Sequence, residues 1–376
     1  MRGLYCYLPI LRAKAGEFSA IHSLSPVARS RLMPLFDITV QGVGDTKAFD
    51  MYLEERATGM VRAWGSVRPV YVDTHDLPPD LRTRSGVAPI TYLFDILRSR
   101  GALAIPVTGT TADRGVDYMA DVRSVIERDQ RGACLRLADD ELAEPQRLGD
   151  AITDVLQRLS VRPEDLDIVI DLRYVGERQL SVVRSTTLEA LYAIRASGQF
   201  RNLVLAGSSV PKNLGRTDQG APRRQTRLEW QLWLEVLATL GSEIPLGFGD
   251  HGIVYAHFVP PKGPVKVPAR IRYTTAGEHV FYRTERHDYS SICRDLLASD
   301  VFSGETYSVG DRDFHRRARE FLRPGSPTAW IAADTNHHLE LVSAQVWRQL
   351  YESELTAQFA LRSPDPQPWL QPDLVP

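Results

Sequence analysis

Short apolar segments recur along the chain at intervals of roughly 30–40 residues, each closing in a polar or glycine-bearing turn and followed by a stretch of helical period. Eight of them read as strands: Leu4–Leu11, Leu32–Ile38, Pro69–Asp73, Ala102–Val107, Ala133–Leu137, Asp167–Leu172, Asn202–Ala206 and Pro245–Phe248. Amphipathic stretches separate them, at Glu17–Leu24, Lys47–Trp64, Ile90–Arg98, Asp117–Asp129, Glu144–Leu159, Val183–Ser197 and Arg227–Leu240. Ile152, Val155, Leu156 and Leu159 show the i, i+3, i+4 spacing that gives a helix one apolar face. Ile168-Val169-Ile170 and Leu203-Val204-Leu205 are apolar without alternation, as strands covered on both faces must be, which points to a parallel sheet. Eight β units within about 250 residues match a closed (β/α)8, TIM-like barrel. The alternative is an open parallel α/β sheet, which more often stops at about five to seven strands.

The rhythm changes after Tyr255. Prolines and glycine at Pro260, Pro261, Gly263 and Pro264 mark residues 259–268 as a linker between a barrel spanning 1–258 and a small α/β C-terminal appendage spanning 269–362. Within the appendage, Ala269–Tyr273 and His279–Arg283 read as a hairpin around Ala276-Gly277-Glu278. Helices are expected at Tyr289–Leu297, Asp311–Phe321 and His338–Tyr351. Residues 363–376 carry five prolines and read as an extended tail. The modest apolar content after Pro268 implies that the appendage packs on the barrel.

Composition excludes several classes. With 43% hydrophobic and 24% charged residues among 376, the chain is neither disordered, collagenous nor coiled-coil. A net charge of −2 gives no global field for nucleic acid, although a local patch is compatible with it. Cys6, Cys134 and Cys293 are far apart and form no CxxC pair, so no zinc knuckle or redox motif exists, and a reducing cytoplasm is the expected setting. The early apolar run is broken by Pro9 and followed by Arg12 and Lys14, too short for a signal or a membrane span.

Two stretches carry a resemblance. Tyr7-Leu8-Pro9-Ile10-Leu11-Arg12-Ala13-Lys14-Ala15-Gly16-Glu17 followed by Leu32-Met33-Pro34-Leu35-Phe36-Asp37-Ile38 resembles the opening of the phage-named "beta protein" family of bacteria and phages. Gly247-Phe248-Gly249-Asp250 and the Trp330 to Asn336-His337-His338 segment resemble its middle and end, although the family often has Tyr where this chain has His251. The resemblance implies a phage-related or antiphage-defence setting and transfers no activity.

In a parallel barrel, catalytic groups sit at the C-terminal ends of the strands. Asp37, Asp73, Asp171 and Asp250 each end an apolar strand and are expected to converge there as catalytic carboxylates, with Glu229 reaching the mouth from the start of a helix. Lys14, Glu17, Arg136, Arg173, Ser208 and His251 stand beside them as ligand-binding candidates. Such a mixed-charge pocket would hold a divalent cation on oxygen ligands, or use a carboxylate as general base on an anionic substrate. The competing interpretation is a buried salt-bridge lattice closing the barrel.

The segment Ser208–Arg227 reads as a long irregular loop carrying Lys212, Arg216, Arg223, Arg224 and Arg227 against one acid, Asp218. Arginine forks suit phosphate, and loops after the last barrel strands often hold it, so an anionic small molecule or nucleic acid is expected there. Gly247-Phe248-Gly249 lacks the GxGxxG pattern and reads as a tight strand exit. Trp230 and Trp233 read as core, and Asn336-His337-His338 as a helix cap or as hydrogen-bonding groups that dock the appendage. Two functions result. One is a phosphoester or nucleotide hydrolase working at the barrel mouth. The other is a non-catalytic scaffold in a defence complex, binding a protein partner or nucleic acid.

Overall fold

The apolar runs become the staves of a barrel. In the computed structural model, which describes residues 6–39, 45–214, 222–241, 243–259, 268–284, 288–319 and 325–352, the strands are β1 (Tyr7–Arg12), β2 (Leu35–Asp37), β3 (Pro69–Asp73), β4 (Leu103–Thr108), β5 (Ala133–Leu137), β6 (Leu166–Tyr174), β7 (Asn202–Ser208), β8 (Arg223–Thr226), β9 (Gly247–Asp250), β10 (Ala269–Thr274) and β11 (Glu278–Thr284). β1 to β7 and β9 are all parallel, and β9 pairs with both β7 and β1, through Tyr7 with Phe248 and Leu8 with Gly249, so the sheet closes. That closure excludes the open sheet. Gly249 is required at the seam, because a Cβ there would lie 2.9 Å from both the Ala206 Cβ and the Leu8 carbonyl oxygen.

The helices are α1 (Ala15–His22), α2 (Pro26–Arg31), α3 (Thr46–Trp64), α4 (Pro89–Ser99), α5 (Thr111–Arg114), α6 (Val116–Asp129), α7 (Asp139–Leu142), α8 (Pro145–Leu159), α9 (Leu180–Ser197), α10 (Leu228–Leu240), α11 (Tyr289–Leu297), α12 (Val309–Arg319) and α13 (Pro327–Trp347). Those up to α10 follow the barrel strands and cover them with their apolar faces. Trp230 and Trp233 belong to that layer, their rings tilted 33° to each other with centroids 5.0 Å apart and set edge-on to Phe248. Among the described residues no helix is long and apolar enough to cross a membrane. The three cysteines are free and buried.

Strand alternation sorts every barrel residue into an inner or an outer layer. Leu35, Tyr71, Cys134, Val169 and Val204 fill the interior, whereas Phe36, Val72, Leu135, Ile170 and Phe248 pack under the helices. Asp37, Asp73, Arg136 and Asp171 each stand two residues beyond an inward residue and therefore face inward. Asp250 stands two beyond Phe248 and faces outward. At the opposite end of the barrel Asp167 closes the interior, accepting from the Tyr71 hydroxyl at 2.7 Å and from Arg201 Nη2 at 2.6 Å.

The C-terminal region corrects three expectations. The hairpin β10–β11 forms as read, but β8 joins it as an antiparallel edge strand, so Arg223–Thr226 is not irregular loop. Arg-Arg-Gln-Thr has no apolar alternation; backbone pairing with β11 makes it a strand. The last helix begins at Pro327 rather than His338, since the Ser326 side chain accepts from the Ala329 N–H and Pro327 opens the first turn. Asn336 accordingly lies inside a helix and does not cap it. Residues 260–267 of the linker, Arg216, Asp218, Phe321 and the tail 363–376 lie outside the described residues.

α13 joins the two parts of the chain. Trp330 and Ala333 enter a core with Ile271, Tyr273 and Phe314, while Leu339, Val342 and Val346 enter the outer layer of the barrel. Its Asn336 amide donates to the Ala20 carbonyl of α1 at 3.1 Å and accepts from the Gly310 N–H at the start of α12 at 2.9 Å. Glu340 accepts from the N–H and the hydroxyl of Ser25, at 2.6 and 2.8 Å.

Candidate active site at the barrel mouth

Arg136 stands at the centre of the inward set. Its Nη1 donates to Asp37 Oδ1 at 2.7 Å and Asp73 Oδ2 at 2.8 Å; its Nε and Nη2 donate to Asp171 Oδ2 at 3.0 and 2.7 Å. Arg114, from the end of α5, adds a bidentate pair onto Asp73 at 2.9 and 3.2 Å. Burial alone would raise both acids, but Arg114 and Arg136 hold Asp73 far below the usual carboxylate range, and His251, Arg136 and Arg173 do the same for Asp171. Asp73 and Asp171 therefore stay ionised, and both join Asp37 around Arg136. They form a frame whose facing oxygens are taken by guanidinium N–H groups. Among the described residues no set of three His, Cys, Asp or Glu is placed to hold a metal ion.

Two groups in the mouth stand apart from that frame. His251, in the turn after β9, places Nε2 2.8 Å from Asp171 Oδ1, and its Nδ1 has no hydrogen-bond partner among the described residues. A carboxylate on one ring nitrogen orients the imidazole and leaves the other free for proton transfer. Asp76, in the turn after β3, has no bonded partner among the described residues, and partial burial together with the charges of Asp37 and Asp73 raises its pKa. Arg173 ends the irregular stretch of β6 with a left-handed φ of 52°, donating its N–H to Asp171 Oδ1 at 3.0 Å. A side chain in that backbone region is strained, and here the strain turns Arg173 toward Asp171, with Nε 3.2 Å from Oδ2.

The remaining candidates divide. Asp250 does not join the other three aspartates: it accepts from the Tyr7 hydroxyl at 2.7 Å, from the Gly252 N–H at 2.9 Å and from His338 Nε2 at 3.0 Å. Although burial opposes it, His338 holds the Asp250 carboxyl down at about 2. Burial in turn lowers His338, whose Nδ1 meets the Thr274 hydroxyl at 2.9 Å. His337 bridges Asp311 and the Thr274 carbonyl, each at 2.8 Å. His338 thus ties the appendage to the end of β9, whereas His337 binds only within the appendage, to α12 and β10. Glu229 is buried beside Arg227 and His279, 3.5 Å from each, on the same outer side.

Of the described cations of the basic segment, one is buried and another is ion-paired. Arg227 is wholly buried, its Nη1 donating to the Thr275 and Ala276 carbonyls and to Gln345. Arg224 pairs with Glu278 and Asp300, Arg223 donates to the Asn213 carbonyl, and Ser208 Oγ accepts from the Val210 N–H as a local turn. Lys212 is exposed. Lys14 and Glu17 lie at the β1 side of the mouth, Lys14 half-buried with Nζ 4.9 Å from the Phe258 ring centroid, and Glu17 buried with a raised pKa. Sequence reasoning missed Asp76 and Arg114. Asp76 lies three residues past a strand end, and Arg114 reaches back from a short helix after β4, which no period announces.

A search of curated proteins gave no match. Among solved structures, the carboxyl transferase domain of Rhizobium etli pyruvate carboxylase with 3-bromopyruvate is similar over 64% of this chain and 44% of its own length, at 12% identity and a TM-score of 0.28. The chain therefore spans less than half of that protein. The family model for Beta protein matches residues 7–344, from the first barrel strand into the docking helix, and the chain belongs to the Beta protein family.

Proposed function

We propose that the barrel mouth binds a phosphorylated or nucleotide-like small molecule and hydrolyses it. The observation that carries this reading is the pair of groups left outside the Arg136 frame, Asp76 and His251, the latter oriented by Asp171 of the frame, in one mouth. Asp76, raised by burial and by its acidic neighbours, would supply a proton to a leaving oxygen. His251, oriented by Asp171, would take one from water. Arg173 would neutralise charge on the substrate. The phage-related or defence setting is part of the same proposal and rests on family membership.

The test is phosphate release from a panel of nucleotides and phosphosugars. Asp76→Asn and His251→Asn should each lower turnover by about 10²–10⁴ with the melting temperature retained. Full turnover in both variants, or none in the parent protein on any phosphoester, would overturn the hydrolase reading and leave the scaffold.

A further inference from the structure

Of the four cations on the β1 side of the mouth, Arg12, Lys14, Arg270 and Arg272, only Arg272 forms an ion pair among the described residues. Arg12 donates through Nη2 to the Tyr255 and His257 carbonyls, at 2.9 and 3.3 Å, and lies 5.4 Å from the Phe258 ring. Lys14 packs on the same ring, so two cations share one aromatic face and neither is hydrogen-bonded to an acid. Arg270 and Arg272 stand at alternate positions of β10, on one face of the strand, and Arg272 reaches Asp334 of α13 only at 3.4 Å. The acids nearby are poor counterions. Asp37 already binds Arg136, Asp334 Oδ1 is buried without a hydrogen-bond partner, and Glu17 and Asp76, whose charges also reach Arg12, form no ion pair with Arg12 or Lys14 among the described residues. Burial pushes Asp334 up to about 7 and raises Glu17, whereas Arg272 pushes Arg270 down to about 10 and burial lowers Arg12 and Lys14.

We propose that Arg12, Lys14, Arg270 and Arg272 form the anion site of this protein, taking the diphosphate group of the ligand at the junction of barrel and C-terminal sheet. Guanidinium forks match phosphate oxygens, and four cations that share a single 3.4 Å ion pair leave N–H donors for a multiply charged anion. Arg12, Arg270 and Lys14 are partly covered, which suits a small oligophosphate better than an open nucleic-acid strand. The inference deepens the mouth reading by naming its substrate class, and it moves the anion contacts away from Arg223–Arg227.

Inorganic pyrophosphate is the probe, titrated calorimetrically against the full chain. Lys14→Gln and Arg270→Gln should each weaken binding at least tenfold and flatten its salt dependence, and neither should melt below the parent without pyrophosphate, since each relieves like-charge repulsion. Pyrophosphate binding without phosphate release by the parent would support the site and fell the hydrolase. Unchanged pyrophosphate affinity in both variants, no binding by the parent at millimolar pyrophosphate, tight binding of single-stranded oligonucleotide alone, or loss of binding only in Arg223→Ala/Arg224→Ala would each overturn it. Retained phosphate release would not be affected by those results.

Discussion

The inward and outward aspartates of this barrel end the same kind of strand and meet opposite fates. Asp37, Asp73 and Asp171 face the interior and are held by arginines, whose charge does not titrate in the working range. Asp250 faces outward and is held by Tyr7 and His338, under a helix that arrives from the far end of the chain. One residue of register separates a frame around a mouth from a seal between two parts of the molecule. The polar group at a strand end gains its role from the layer it enters.

The largest effect should follow from removing the centre of the frame. Arg136→Met would leave three buried carboxylates facing one another and cost at least the about 3–5 kcal/mol of a broken buried pair. Soluble yield and the urea midpoint report it, and a midpoint equal to the parent's would show that the aspartates need no common cation.

Asp250→Asn should cost less, about 2 kcal/mol at neutral pH, because the shift from 3.8 to about 2 measures what ionised Asp250 gains in the dock. Its folded pKa is depressed, so its contribution is present above 3.8 and is lost as pH falls toward about 2. His338, also depressed but a base, destabilises the fold as pH falls below its ordinary 6.5. The parent should therefore lose stability in two acid steps, and Asp250→Asn should show a smaller lower one, the rest of which comes from Asp73 and Asp171. Denaturation midpoints across pH 2–8 decide this, and two superimposable curves would separate Asp250 from the dock.

Asp76→Asn should raise stability modestly and only above the ordinary carboxylate range. A raised folded pKa favours the fold below 3.8 and disfavours it as pH rises through the folded value, so removing the charge relieves Asp37 and Asp73. Destabilisation at pH 7 would instead mean that Asp76 is a structural partner. Smallest of all, Arg223→Ala with Arg224→Ala should leave the melting temperature unchanged, since their partners are exposed.

The barrel was legible because each strand's apolar run survives in a single sequence, Ile168-Val169-Ile170 above all, and the eight runs lie within a residue or a few of the observed strands. Asp37, Asp73, Asp171, Arg136, Arg173 and His251 were legible as strand-end polar groups. The outward facing of Asp250 was not: alternation fixes which residues share a layer, but only packing, here Phe248 against Trp230 and Trp233, says which layer is outer. β8 was hidden because its pairing is made by backbone, and the start of α13 because Pro327–Thr335 has no simple apolar period. The cations of β10 read as ordinary polar positions of a hairpin; their proximity to Arg12 exists only once the appendage is docked.

The central claim is that the mouth within the Arg136 frame is a ligand site completed by the docked sheet. A crystal structure of the protein grown with ATP tests it most directly. Phosphate density among Arg12, Lys14, Arg270 and Arg272, with the rest of the nucleotide in the mouth facing His251 and Asp76, is the predicted result. An empty mouth, or nucleotide bound only along Arg223 and Arg224, would contradict it.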